Sequence, residues 1–251
     1  MKKYIVLAGF ALALSACDTV MKAVETVSES GLPSPMPSEL SESDIISGLK
    51  EALSVATDTS VKRLAAVDGY FKDEALKILL PAESQAVIEK LNQLSVTKPL
   101  VDKTILALNR AAEDAAKSAA PIFKDAILNM SFSDAKSILK GSDSSATNYL
   151  RRTTYTSLTN AFLPKIKTSL GKDLVYGQSA ESLYSSLINT YNTASLGGTL
   201  FAKIENNSLS EHVTGKALQG LFNKVKVEEG EIRHKLSHRV SDILKRVFAN
   251  Q

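Results

Sequence analysis

From residue 44 onward, apolar side chains recur every three or four positions, the spacing of one face of an α-helix. The segment DIISGLKEALSVATDTSVKRLAA aligns Ile45, Leu49, Leu53, Ala56 and Leu64. PAESQAVIEKLNQL offers Pro81 for a first helical turn and puts Val87, Ile88, Leu91 and Leu94 on one side. LVDKTILALNRAAEDAAKSAAP runs through Val101, Ile105, Leu108, Ala112, Ala115 and Ala119, and a stop is expected at Pro121. SFSDAKSILKG opens on a serine and closes on Gly141, as a capped helix does.

A long helical stretch is expected from Ser144 to Leu170, kinked or broken at Pro164. SAESLYSSLINTY predicts another helix. Ser208 and Glu211 have the spacing of a capping box ahead of Val213, Ala217, Leu221 and Val225. A final apolar stripe takes in Ile232, Leu236, Val240, Leu244 and Val247. Its basic residues Arg233, Lys235, Arg239, Lys245 and Arg246 read as an outer face over a packed apolar one; the other reading is a helix lying on anionic lipid. No Asn-Gly pair separates two alternating runs, so no hairpin is predicted. Only DGYFKDEALKILLP is ambiguous and compatible with extended chain. The pattern predicts an all-α fold, a single compact multi-helix domain over residues 44–251.

The N-terminus follows a different pattern. Lys2 and Lys3 precede an uncharged apolar run, Tyr4 to Leu14, and then small residues. That is the layout of an export signal. Such a run spans roughly 20 Å as a helix, short of a hydrocarbon core of about 30 Å, so cleavage is expected. Leu14-Ser15-Ala16-Cys17 resembles the lipobox of bacterial lipoproteins. The resemblance implies a signal peptide at 1–16, cleavage before Cys17 and lipidation of its thiol, which anchors the chain to a membrane facing the periplasm. Asp18 resembles an inner-membrane retention signal. Residues 17–43 hold three prolines and many serines and read as a tether of roughly 25–30 Å reach.

Composition narrows the function. Cys17 is the sole cysteine, so an internal disulfide is excluded. Without Lys2 and Lys3 the formal charge falls from +3 to +1, which gives no global attraction to nucleic acid. The chain has no tryptophan and 6% aromatic residues, which disfavours stacking platforms for bases or sugars.

DGYFKDEALKILLP, LNRAAEDAA, PIFKDAILNMSFSDAKSILKGSDSSATNYL, KALQGLF and LKRVF resemble the successive blocks of the domain of unknown function 4197 family, over about residues 46–248. The resemblance implies a helical fold and an envelope location. It brings no activity and no catalytic residues.

Candidate chemistry is sparse. His234 and His238, with Glu231 three residues before the first, have helical metal-ligand spacing but lack a second such motif. A solvated helix face is the simpler reading, and neither a metal nor a cofactor is expected. GQSAE around Ser179 departs from the nucleophile-elbow pattern at its fifth residue. No glycine-rich phosphate loop occurs. GSDSSATNY lacks calcium-loop spacing and reads as the cap of the helix that follows. The remaining candidate is polar. Asn109 and Glu113 share a face of an alanine-rich helix, with Arg151 and Arg152 as candidate partners. Either they form a network that locks helices together, or they line a ligand pocket. Two functions follow: a non-enzymatic binding module for an envelope protein or an apolar ligand, or an enzyme with a polar pocket between helices.

Overall fold

Ser41 starts the fold. Its hydroxyl accepts the amide of Asp44 while the Asp44 carboxylate accepts the amide of Ser41, a reciprocal cap that opens helix α1 (Glu42–Ala65). The computed structural model describes residues 40–85, 98–175, 177–194, 196–199, 202–204 and 208–249, within one unit spanning Leu40–Gln251. The leader, Cys17, Asp18 and the tether to residue 39 lie outside the described residues. So do Val87, Ile88, Leu91 and Leu94. Because α1 begins at Glu42, the last residues assigned to the tether belong to the folded unit.

The order continues with α2 (Lys98–Ala116), α3 (Ala119–Leu128), α4 (Phe132–Leu139) and α5 (Ser145–Leu170). A minimal antiparallel hairpin follows, β1 (Asp173–Val175) with β2 (Gln178–Ser179), in which Asp173 pairs with Ser179 and Val175 with Gln178. Then come α6 (Ala180–Ala194), α7 (Leu209–His234) and α8 (Asp242–Val247). The fold is all-α apart from that hairpin among the described residues. The hairpin was not predicted, since its turn contains Gly177 at φ 72° and no Asn-Gly signal.

Helices α5 and α7 form the centre, α7 packing on both α5 and α1, and α2 packing on α5. On α2 the alanines 111, 112, 115 and 116 are buried, and small side chains permit a close helix–helix approach. Phe123, Phe162 and Phe222 fill the interior, with Phe123 edge-on to Phe222 at 6.0 Å between ring centres. Each such buried side chain is worth about 1.5–3 kcal/mol.

Two proline expectations are corrected. Pro121 does not end a helix; it occupies the first turn of α3, where its missing N–H costs no hydrogen bond. Pro164 does not break α5, which continues to Leu170. Pro164 faces solvent, while Leu158, Phe162 and Ile166 on the opposite side are fully buried and hold the helix together across it.

The C-terminal stripe is also corrected. Helix α7 ends at His234, a single 3₁₀ turn covers Leu236–His238, and α8 begins at Asp242. Leu236 and Val240 are 65% and 66% exposed, so neither belongs to the core, whereas Leu244 and Val247 do. Of the five basic residues expected on the outer face, Lys235, Lys245 and Arg246 are exposed, but Arg233 and Arg239 are buried, at 3% and 8% exposure. The Arg239 guanidinium donates to the carbonyls of Ile232 at 3.0 Å and Arg233 at 2.6 Å, capping the carbonyl end of α7 where the helix breaks.

Candidate functional site

Asn109 and Glu113 stand one turn apart on α2, both buried. They face the irregular segment 66–80, whose own turns satisfy only part of its backbone, leaving the Tyr70, Phe71 and Ile78 amides to these side chains. The Asn109 carboxamide accepts the Ile78 amide at 2.9 Å and donates to the Ile78 carbonyl at 2.9 Å and to the Ile105 carbonyl at 2.7 Å. One Glu113 oxygen accepts the amides of Tyr70 and Phe71 at 3.2 and 3.3 Å, and the other accepts Arg110 at 2.6 Å. Arg110 also reaches Asp68 at 2.6 Å, and the hydrogen bonds from Lys72 and Arg110 hold the Asp68 carboxyl below its usual range. Tyr70 lies across α7 and donates to the Ala217 carbonyl at 2.8 Å. Burial, with the Glu113 charge nearby, pushes its phenol well above the ordinary tyrosine value. A Cβ at Gly220 would come within 2.8 Å of the Tyr70 ring, so glycine there lets the ring lie on the helix.

Arg151 and Arg152 do not join this cluster. Both are exposed on α5. The Arg151 guanidinium sits over the Phe222 ring at 4.7 Å, and Arg152 lies 3.9 Å from Asp134. The cation that meets Glu113 is its own helical neighbour Arg110, which a spacing of three already permitted.

The segment held by Asn109 and Glu113 forms one wall of a cleft of about 610 Å³. Leu76, Leu79 and Leu80 come from that segment, and His212, Lys216 and Asn223 from α7 opposite. Asn109 and Glu113 lie behind the wall and fix its position; they do not line the cleft. His212 joins the two walls. Its Nε2 is 2.9 Å from the Leu79 carbonyl, which only accepts, so Nε2 carries the proton. Burial is the main reason its pKa lies below the ordinary histidine value.

Residues 39–249 match the model of a protein family described as a protein of unknown function (DUF4197). The chain belongs to the DUF4197 family. No curated protein and no solved structure matches it. The match spans both walls of the cleft and all the helices described here.

Within this DUF4197 domain, two further glutamates repeat what Glu113 does. Glu229 of α7 accepts the amides of Ala146 at 3.0 Å and Thr147 at 2.8 Å, the first free N–H groups of α5, while Arg233 donates to it at 3.1 Å. Glu181 of α6 accepts the amides of Leu209 at 3.1 Å and Ser210 at 3.1 Å, opening α7. These replace the caps expected from Ser144 and from the Ser208–Glu211 box: neither serine makes a side-chain cap, because the distant carboxylates already hold the amides. A negative charge is also favoured at a helix N-terminus.

The histidines of the DUF4197 chain are dispersed. His234 ends α7 with Nε2 2.9 Å from Asp143, while His238 lies in the next 3₁₀ turn, 3.4 Å from Glu231. The helix break removes the spacing of four that a shared metal needs. Among the described residues no group of three or more histidine, cysteine or acidic side chains is placed to hold a metal ion.

Proposed function

We propose that this DUF4197 protein is a lipid-anchored protein of the cell envelope whose helical domain binds a partner and does no chemistry of its own. The observation that carries the binding half is the orientation of three carboxylates. The buried Glu113 and Glu229 and the half-buried Glu181 face backbone amides, so their charge holds walls and helix ends in place, while the buried Glu228 pairs with Arg63. A cleft with a fixed wall suits recognition, because little ordering remains to be done on binding. Asn109 and Glu113 serve it from behind, by positioning Leu76, Leu79 and Leu80. Arg151 and Arg152, exposed on α5, do not line it.

The anchor rests on the leader, with Lys2, Lys3, the apolar run to Leu14 and the Leu14-Ser15-Ala16-Cys17 tetrapeptide. No described helix is long and apolar enough to cross a membrane. Two or three acyl chains on Cys17 hold a protein stably where one is marginal. Asp18 supports the inner membrane over the outer. The test is labelling in cells with an alkyne fatty acid, followed by membrane fractionation. The native chain labels and sediments with inner membrane, and Cys17→Ser loses both. A Cys17→Ser chain that partitions unchanged sinks the anchor.

A further inference from the structure

The cleft beside residues 75–85 does not end at α7's midpoint. A second concavity, of about 630 Å³, continues along the same helix past Val227 and Gly230 to His234 and Lys235. The two share Asn223. His212, Asn223 and His234 are spaced by eleven residues, three helical turns, and therefore lie on one line along α7. The result is an open trough of roughly 33 Å along α7, the rise of a helix of about 20 residues, walled by residues 75–85 over its first part and flanked by Asp143 at its far end.

The trough has uneven charge. Lys235 is paired with Glu231 at 2.5 Å and His234 with Asp143 at 2.9 Å. Lys77, Lys216 and Lys226 have no carboxylate within ion-pair distance among the described residues, against Glu83 as the one lining acid in that position. Lys77 rests over the Phe71 ring at 4.5 Å. Apolar contact is available in each concavity, from Leu79, 50% exposed, in the first and Val227, 53% exposed, in the second. An elongated trough with apolar points and surplus lysines has the features of helix-in-groove recognition.

We infer that the outer face of α7, from His212 to His234, is the docking trough for an acidic amphipathic helix of a partner protein. This deepens the binding reading above and rests on it. The partner's apolar side chains lie on Leu79 and Val227, and its carboxylates meet Lys77, Lys216 and Lys226. Gly230 gives the cleanest test. A Cβ at that position meets nothing within 4 Å, so a large side chain there enters the trough without disturbing the core.

The experiment is fluorescence anisotropy of the full-length chain in detergent with a labelled synthetic helix of about 20 residues, leucine on one face and glutamate on the other. The control peptide has lysine for glutamate. The acidic peptide is expected to bind at least tenfold more tightly than the basic one. Gly230→Phe and the pair Lys216→Glu with Lys226→Glu should each weaken it at least tenfold, with melting temperatures unchanged. Equal binding of both peptides, or binding indifferent to these substitutions at native stability, overturns the inference. So does binding to phosphatidylglycerol vesicles that the same substitutions abolish while the acidic peptide does not bind, since that makes the face a membrane surface. Lost peptide binding with Cys17 still labelled removes the trough alone. Lost Cys17 labelling with peptide binding intact removes the anchor alone.

Discussion

The side-chain amide of Asn109 pairs with both backbone groups of Ile78, accepting its N–H and donating to its C=O, each at 2.9 Å. It acts as a neighbouring strand would, but from a helix. Replacing Asn109 by Ala leaves two buried backbone groups without partners, and each unsatisfied group costs about 1–3 kcal/mol. Asn109→Ala is therefore expected to lower unfolding stability by at least about 2 kcal/mol in urea titrations. A loss within about 0.5 kcal/mol, the range of an ordinary surface change, would mean the segment 66–80 is held by something else.

Glu229 and Arg233 form a buried ion pair whose carboxylate also caps α5. Removing one partner of such a pair leaves an uncompensated buried charge, at about 3–5 kcal/mol. Glu229→Ala should fall in that range. Combined with Arg233→Met, the loss should be smaller than the sum of the single losses, because the stranded guanidinium is gone. A strictly additive double-mutant cycle would show that the two residues act independently.

Sequence periodicity ranks Val240 as a core position and Arg239 as a surface one, and the structure inverts the ranking. Arg239→Ala removes two hydrogen bonds from the carbonyl end of α7 and should cost about 1–3 kcal/mol. Leu236→Ala and Val240→Ala should stay within about 0.5 kcal/mol. Thermal melts of the three variants decide the order.

His212 predicts a pH dependence. Its pKa in the folded protein is depressed, chiefly by burial, below the value of about 6.5 for an unfolded histidine. The unfolded chain then binds more protons in that range, so stability is complete above about pH 6.5 and is lost as pH falls toward the folded pKa. Melting temperature should decline across that window in the native chain. The decline should be shallower in His212→Gln, which carries no titrating ring. Equal slopes would remove His212 as the source.

Much of the fold is legible in the sequence because its helices bury one side. Leu49, Leu53 and Leu64 of α1, and Val213, Ala217 and Leu221 of α7, are buried as their spacing predicts. Helix starts near Ser131 and Ser144 are legible for a local reason, since serine favours caps. Which group fills the cap is local at Ser131, whose hydroxyl accepts the Asp134 amide, and non-local after Ser144, where Glu229 does so. Nothing near Ser144 encodes that glutamate. The C-terminal break is hidden for a related reason. The apolar spacing continues through Leu236 and Val240, while the interruption is held by bonds the spacing does not encode, the buried Arg239 guanidinium on the Ile232 and Arg233 carbonyls among them. At the candidate site, Asn109 and Glu113 could be found because two polar groups on an alanine-rich face require partners. Their partners were not legible, being backbone amides of an irregular segment. The cleft itself, with His212 and Leu79 meeting across it, carries no sequence signal beyond a histidine at the start of a helix.

The carboxylate that opens α5 lies 83 residues beyond Ala146 in the chain. During synthesis the N-terminal part of α5 therefore emerges long before its cap exists, and any chain that stops short of Glu229 keeps the free amide ends. Contacts this distant in sequence raise the loop-closure entropy of assembly and slow folding relative to a bundle built from adjacent pairs. They also tie the carboxylate of α7 to the opening of α5, two helices that pack on each other at the centre of the domain.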